Sequence, residues 1–422
     1  MTSIALVVGC SGGDGGAGMS SDTSSTVPGA GDDPSRSGTN GTNDNGGTDE
    51  LGPHGGGAGA SGSGSAPSGP PAVRFVGRFD TRDVAGPTCA WPGCRIVARF
   101  QGPSTSVKAR LEETVESWME GGPSEWDVTV DGVLQPKIVL ELGARDYVLA
   151  TNLPAGVHTV ELYKRTESQN GYTKFLGYDL GGGVLLAPPA PASRRIEFVG
   201  DSAAAGFGVE GVGQGPDCEG PDWAARWQNF HKSMVARLGE ITNADVHGTI
   251  YSGKGLAQNI WSTDPGTLPL LYPRSNPLDP SSTFDQSAFV PEVYVVMAGG
   301  NDFALGQPSD RGPASHAAFT QATSGLVAVF RARSPKAHVF LALSPSVSDT
   351  QPVGRDSRTN VKAGFDAVAS ERAAAGDTRV YSVAPPVAQP SELTACNGHG
   401  NPQFHDRVAQ QLAAAIREKT GW

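Results

Sequence analysis

From Val73 to about Pro188 the chain carries short runs in which apolar and polar residues tend to alternate. They are Arg95-Ile-Val-Ala-Arg-Phe100, Trp126-Asp-Val-Thr-Val130, Lys137-Ile-Val-Leu-Glu-Leu142 and His158-Thr-Val-Glu-Leu-Tyr163. Successive side chains of a strand point to opposite faces, so a period of two predicts strands buried on one side. Turn residues such as Val130-Asp-Gly132 and Pro154-Ala-Gly156 separate the runs, which predicts an antiparallel all-β sandwich over 73–188. Leu186-Ala-Pro-Pro-Ala-Pro-Ala192 then reads as a stiff connector. From Arg194 the pattern changes to alternating strand and helix. Strands are predicted at Arg195–Val199, Ala244–Ile250, Val293–Met297, His338–Ala342 and Thr378–Ser382. Helices are predicted near Asp222–Leu238, Ala314–Arg333, Thr359–Ala374 and Pro402–Lys419. Trp223, Trp227 and Phe230 fall at helical spacing and are expected in the core. Strands spaced by helices imply an α/β domain over 194–422, with a parallel sheet covered on both faces.

Composition separates a third region. From Ser11 to about residue 72 the chain is Gly, Ser, Thr, Asp and Pro with almost nothing apolar. Such a stretch buries too little surface to offset its ordering entropy, so a disordered linker is predicted over 11–72. It also carries much of the charge. Asp14, Asp22, Asp32, Asp33, Asp44, Asp49 and Glu50 against Arg36 account for −6 of the net −11. The remaining body is weakly acidic, with no basic footprint for nucleic acid, and no segment is long and apolar enough to cross a membrane.

Of five cysteines, Cys10 stands apart. It follows Ile4-Ala-Leu-Val-Val-Gly9, which resembles the lipobox of bacterial lipoproteins with Cys10 as the lipidated residue. Residues 1–10 are then the end of a signal segment whose short apolar run implies a longer leader. The linker would hold an exported, cell-surface body away from the membrane, with Cys10 the membrane contact. The other four cysteines suit an oxidising compartment. Cys89–Cys94 and Cys218–Cys396 are the expected pairs among three pairings that four cysteines allow. No cysteine or histidine cluster has zinc-ligand spacing, so neither metal nor cofactor is expected.

The chemistry sits at predicted strand ends: Gly200-Asp-Ser202, Ser252-Gly253-Lys-Gly255 and Gly299-Gly-Asn301-Asp302, with Cys396-Asn-Gly-His399 opening the last helix. In a parallel sheet, strand carboxyl ends share one edge, where ligands bind. A serine hydroxyl needs a base, usually histidine. A developing oxyanion needs fixed donors, which the Ser202 and Gly253 N–H groups and the Asn301 amide supply. Asp201 is expected to bond backbone N–H groups around the serine, Asp302 to brace its loop and His405 to be structural. Two other matches carry no chemistry. Gly9-Cys-Ser-Gly-Gly13 has no helix after it, and Gly206-Phe-Gly-Val-Glu-Gly211 lacks a tight strand–turn–helix context.

In this order, Ser, Gly, Asn and His blocks resemble the SGNH (GDSL) hydrolase family. The resemblance implies a flavodoxin-like domain, nucleophile Ser202, oxyanion donors Ser202, Gly253 and Asn301, and base His399. With Lys164-Arg-Thr-Glu167, Ser252-Gly-Lys-Gly-Leu256, Leu271-Tyr272 and the final Cys-x-x-His, the chain also looks like carbohydrate esterase family 2. That family pairs a jelly-roll sandwich with an SGNH domain and removes acetyl groups from polysaccharides such as xylan and glucomannan without a metal. The chain departs from the family pattern at Asn397, where Asp is frequent, at Gly398, where Trp is frequent, and at Gly400, where Pro is frequent; His405 keeps its spacing. Asparagine cannot stabilise an imidazolium by charge, so a Ser-His dyad is expected, with Asn397 in a supporting place. Sugar stacking is expected from Trp261 or Tyr272. Two other functions fit the same residues: a GDSL-type esterase or lipase on other acyl esters, and a catalytically weak carbohydrate-binding lipoprotein.

Overall fold

The computed structural model describes residues 73–422 except 104, 120, 214–217, 221–222 and 265. Cys10, the lipobox and the predicted linker lie outside the described residues. The sandwich and the α/β layer belong to one compact unit.

Two antiparallel sheets form the sandwich. The first runs Arg74–Val76, Arg95–Gly102, Gly156–Lys164, Glu125–Val130, Val133–Val139, with Val184–Leu186 also paired to Arg95–Gly102. The second runs Phe79–Asp80, Thr88–Cys89, Tyr172–Asp179, Thr105–Thr114, Gly143–Leu153. The alternation seen in the sequence has its reason here. Ile96, Ala98, Phe100, Val128, Val160 and Leu162 point inward from one sheet to meet Val107, Ala109, Leu111 and Phe175 of the other. Trp126 is fully buried, and its indole N–H donates to Thr173 Oγ1 at 3.1 Å, satisfying the polar end of the ring in the core.

The third sheet is all-parallel, in the order Ala244–Ile250, Arg194–Gly200, Val293–Met297, His338–Ala342, Val380–Val383. Counted along the chain this is 2-1-3-4-5, the flavodoxin-like order, and the direction of winding reverses on either side of Arg194–Gly200. The inner strands are apolar on both faces because helices cover both. Met234–Thr242 and Pro402–Thr420 pack on one side with Ile196, Phe198, Val295 and Met297. His316–Arg333 and Ser357–Ala374 pack on the other with Val199, Tyr294, Val296 and Leu341. Among the described residues no helix is long and apolar enough to cross a membrane.

Several elements differ from the sequence expectation. The helix expected over Asp222–Leu238 begins only at Met234, after short 3₁₀ turns at Ala225–Trp227 and Phe230–Lys232. Ser233 caps it, accepting from the N–H groups of Val235 and Ala236. The preceding residues give their backbone donors to the sandwich instead: Ala225 N–H to Gly121 O at 2.7 Å and Phe230 N–H to Arg165 O at 2.8 Å. Only Phe230 of the three aromatics at helical spacing is fully buried. The strand expected at Lys137–Leu142 lies at Val133–Val139. Asp131 and Gly132 both take positive φ (51° and 76°) in a two-residue hairpin turn, so pairing starts at Val130↔Val133. Leu140 N–H carries the same register one residue further, donating to Ser124 O at 3.0 Å. Thr105–Thr114, Gly143–Leu153 and Tyr172–Asp179 were missed in the sequence; of these Gly143–Leu153 is an edge strand exposed at most positions, so its burial leaves little pattern.

The seam between sandwich and parallel sheet is polar and aromatic. Arg78, wholly buried, pairs with the buried Glu197 in the middle of strand Arg194–Gly200. Arg333 (3.1 Å) and the Tyr272 hydroxyl (3.1 Å) meet the second oxygen of the same carboxylate. Gly93 makes room for Phe230: φ is +77°, and a Cβ there would lie 2.3 Å from the ring.

Candidate active site

Strand Arg194–Gly200 ends and the chain turns at once into a four-residue helix, Ser202–Ala205. The Asp201 carboxylate caps it by accepting from Ala203 N–H at 3.0 Å. Burial pushes the Asp201 carboxyl up to about 7. Asp201 is thus occupied with the turn, as expected, and Ser202 stands at the carboxyl end of the first strand, beside the switch point.

His399 reaches the same rim from 197 residues away; its Nε2 lies 2.9 Å from Ser202 Oγ. The other ring nitrogen, Nδ1, lies 3.1 Å from Cys396 O and 3.2 Å from Asn397 O. Carbonyl oxygens only accept, so Nδ1 carries the proton and Nε2 is free to receive one from Ser202. No carboxylate is among the hydrogen-bond partners of the ring. The geometry is a dyad oriented by main chain, and Asn397 takes part through its carbonyl rather than its amide. That aim depends on backbone shape: Asn397 (φ 54°) and Gly398 (φ 67°) are both left-handed. Asparagine tolerates this region, and an Asp would bring no geometric gain to the carbonyl. Burial lowers the His399 pKa below the usual imidazole value while the two carbonyl bonds oppose the shift, leaving a neutral base at neutral pH.

The histidine turn is tethered to the serine loop. Cys218 and Cys396 form a disulfide, and Cys89–Cys94 form the second. Cys396 N–H donates to Gly208 O at 3.3 Å. His405, one turn into helix Pro402–Thr420, is buried and accepts from Met234 N–H at 3.2 Å. Burial pushes its pKa down to about 3, so it remains a neutral structural group.

The second and third blocks lie against the first. Tyr251 N–H donates to Gly200 O at 3.1 Å, and the Asn301 amide donates to Lys254 O at 2.8 Å, which leaves its second N–H. Gly253 has φ +77°, and its carbonyl accepts from Ile260 N–H at 2.9 Å. Asp302 is fully buried and accepts from the N–H groups of Leu256 (3.0 Å), Ala257 (2.6 Å) and Gln258 (3.0 Å). Burial raises its carboxyl to about 6 against those three bonds. Asp302 therefore braces the second loop and does not reach the histidine. Trp261 is 42% exposed, and its ring lies 3.3 Å from where a Gly253 Cβ would stand, so an aromatic face borders the candidate oxyanion site. Tyr272 corrects the sequence expectation. It is 1% exposed, and its hydroxyl donates to Glu197 Oε2 and accepts from Arg333 at 2.6 Å. It belongs to the seam and has no surface for a sugar. Among the described residues no group of three or more His, Cys, Asp or Glu side chains is arranged to hold a metal.

The sequence reading missed one participant. Glu167, from the sandwich, is fully buried and bonds both the N–H and the hydroxyl of Ser252. The signal was the polar run Lys164-Arg-Thr-Glu167 directly after an apolar strand, which entered the family resemblance without a role for its glutamate.

Comparison with known proteins agrees with this architecture. A family model described as carbohydrate esterase 2 N-terminal matches residues 75–189. One for the GDSL-like lipase/acylhydrolase family matches residues 198–407. Cellulase/esterase CelE of Acetivibrio thermocellus is 31% identical over 353 residues, 83% of this chain and 40% of that protein. An acetylxylan esterase/glucomannan deacetylase of Cellvibrio japonicus is 26% identical over 241 residues, 56% of this chain and 63% of that one. The match thus spans less than two thirds of these curated relatives' length. A solved family two carbohydrate esterase from Clostridium thermocellum, in complex with cellohexaose, superposes with a TM-score of 0.73 at 28% identity, covering 83% of this chain and all of that one. With both domains matched in tandem, and Ser202 and His399 meeting on the rim where the resemblance put them, the chain belongs to carbohydrate esterase family 2.

Proposed function

We propose that this chain is a carbohydrate O-acetylesterase acting on acetylated polysaccharides of the xylan and glucomannan type. One observation carries the reading: Ser202 Oγ lies 2.9 Å from a histidine nitrogen whose partner nitrogen is held by two carbonyls. Ser202 attacks the acetyl carbonyl while His399 takes its proton. The tetrahedral oxyanion is received by the N–H groups of Ser202 and Gly253 and by the Asn301 amide. Collapse expels the sugar hydroxyl with the proton from His399, and water then releases acetate by the same route in reverse roles. Without a carboxylate behind it, His399 relies on its two carbonyl partners to fix the tautomer, which is the part of a triad that geometry alone supplies.

Ser202→Ala is expected to lower acetate release from acetylated xylan, acetylated glucomannan and 4-nitrophenyl acetate by on the order of 10⁴-fold or more. Turnover close to wild type would sink the assignment. Faster hydrolysis of long-chain than of acetyl esters would move the reading to a general GDSL esterase.

The proposal extends to location. Cys10 is the lipid anchor of an exported protein, a reading supported by two cystines that suit an oxidising compartment. Cys10→Ala is expected to shift the expressed protein from membrane to soluble fractions. Equal partitioning of the two forms would count against the anchor.

A further inference from the structure

The run Lys164-Arg-Thr-Glu167 lies where the sandwich meets the catalytic layer, and the dyad chemistry does not account for it. Strand Gly156–Lys164 ends there, and the following residues lean onto two catalytic loops at once. Arg165 donates to Glu210 Oε1 at 2.8 Å, on the turn after the serine helix. Glu167 takes the second loop: Oε2 accepts from Ser252 N–H at 2.8 Å and Oε1 from Ser252 Oγ–H at 2.6 Å. The glutamate is 0% exposed. No guanidinium is among its partners, and the ammonium of Lys164 is spent on Thr166 O (2.8 Å), Thr166 Oγ1 (3.3 Å) and Glu167 O (3.3 Å).

A buried carboxylate without a direct ion pair is costly. Burial pushes this one up to about 7 and lowers Lys164 behind it to about 8. Packing alone would be served by an uncharged side chain. A carboxylate is acceptor-only with two oxygens, so it can take both donors of a single serine. Fixing the N–H and the hydroxyl of Ser252 fixes its φ and χ1, and the next N–H in the chain is that of Gly253. On the far side the Gly253 carbonyl is held by Ile260 N–H, and Lys254 O by the Asn301 amide. The Gly253 N–H is therefore clamped from both sides, and one side of the clamp comes from the other domain. Besides Lys164, the titratable groups that feel Glu167 are Asp201 and Tyr251, with Glu113 acting on Lys164 from behind.

We propose that Glu167 is a positioning residue for ester hydrolysis, a carboxylate of the sandwich that sets the oxyanion donor Gly253 through Ser252. The inference rests on the esterase reading above. It makes the sandwich part of the active site's framework in addition to any wall it gives the cleft.

The test compares wild type, Glu167→Gln, Glu167→Ala, Ser252→Ala and Ser202→Ala in the full chain, with 4-nitrophenyl acetate as probe. Glu167→Ala is expected to lower kcat about 10- to 100-fold with KM changed less than about threefold, since a misaligned oxyanion donor is felt in the transition state. Glu167→Gln keeps an acceptor for Ser252 N–H and is expected to recover part of that loss. Ser252→Ala, which keeps the N–H grip and loses the hydroxyl, falls between. Inhibition by methylboronic acid, which becomes tetrahedral on Ser202, is expected to weaken in Glu167→Gln in step with kcat/KM. Wild-type kcat in folded Glu167→Gln or Ser252→Ala, or a loss confined to KM or thermal stability, overturns the inference. Those outcomes leave the esterase reading standing as long as Ser202→Ala is inactive, whereas an active Ser202→Ala rejects that reading itself.

Discussion

Two buried glutamates meet the seam between the sandwich and the parallel sheet, and they are used differently. Glu197 belongs to the sheet and is met by Arg78 of the sandwich, Arg333 and the Tyr272 hydroxyl, so each oxygen faces a strong donor. Glu167 belongs to the sandwich and spends both oxygens on one serine of the catalytic layer. The first sits mid-strand, before the carboxyl end at Gly200, and ties the two domains together. The second sits on the rim and holds a loop. The contrast teaches that burial of a carboxylate does not define its role. A carboxylate answered by guanidinium groups behaves as a structural ion pair, and one answered by neutral backbone and hydroxyl donors sets the geometry of whatever bears them.

The largest effect expected from breaking this contrast is on stability. Arg78→Ala leaves Glu197 with an uncompensated share of charge and should cost about 3–5 kcal/mol of unfolding free energy, read by urea titration. Its folded fraction should retain wild-type kcat. A loss of kcat with stability intact would place Arg78 on the functional side of the comparison. The disulfides allow the same test. Cys218→Ser with Cys396→Ser frees the turn whose Cys396 and Asn397 carbonyls hold His399, and kcat should fall about tenfold through lost orientation. Cys89→Ser with Cys94→Ser, remote from the dyad in the sandwich core, should lower the melting temperature and leave kcat unchanged.

The pH profile sharpens the role of Glu167. It must be ionised to accept both Ser252 donors, and burial holds its pKa near 7. Activity should then be lost as pH falls through about 7, with neutral His399 lost at lower pH because its own pKa is depressed. In Glu167→Gln that upper titration is absent. Asp201, raised to about 7 by burial with smaller contributions from the Asp302 and Glu167 charges, also shifts down slightly. The acid limb of kcat/KM should therefore move to lower pH, and an unmoved limb would show that Glu167 does not govern it. The smallest effect concerns Trp261, which touches neither glutamate. Trp261→Ala should raise KM for acetylated polysaccharide about three- to tenfold and leave 4-nitrophenyl acetate nearly unchanged, through loss of an exposed aromatic face beside Gly253.

Several features were legible because local pattern and fold demanded the same thing. The sandwich core followed from period-two alternation in Arg95–Phe100 and His158–Tyr163, since each inward residue had to be apolar. The rim followed from blocks at strand ends, because a parallel sheet sends all its carboxyl ends one way. The bracing by Asp302 and the capping by Asp201 were also readable from residue type. Tyr272 was not: its position beside Leu271 carried no sign that Arg78, 194 residues earlier, would enclose it. The helix from Asp222 failed for a related reason, as Gly121 and Arg165 outbid helical hydrogen bonding for the N–H groups of Ala225 and Phe230. The role of Asn397 was hidden because its useful atom is a carbonyl, which every residue type has.

By itself the sequence determined the parallel strands and the chemical blocks at their carboxyl ends, since periodicity and strand direction are local properties that add up along the chain. Tertiary structure alone decided which carboxylate serves the site, which tyrosine is buried and which main-chain oxygens aim the histidine. The first two depend on partners 85 and 194 residues apart, brought together by a domain seam, and the third on a left-handed turn that aims carbonyls two and three residues away. Hydrogen bonds of that kind leave no periodic trace in the order of the residues that make them.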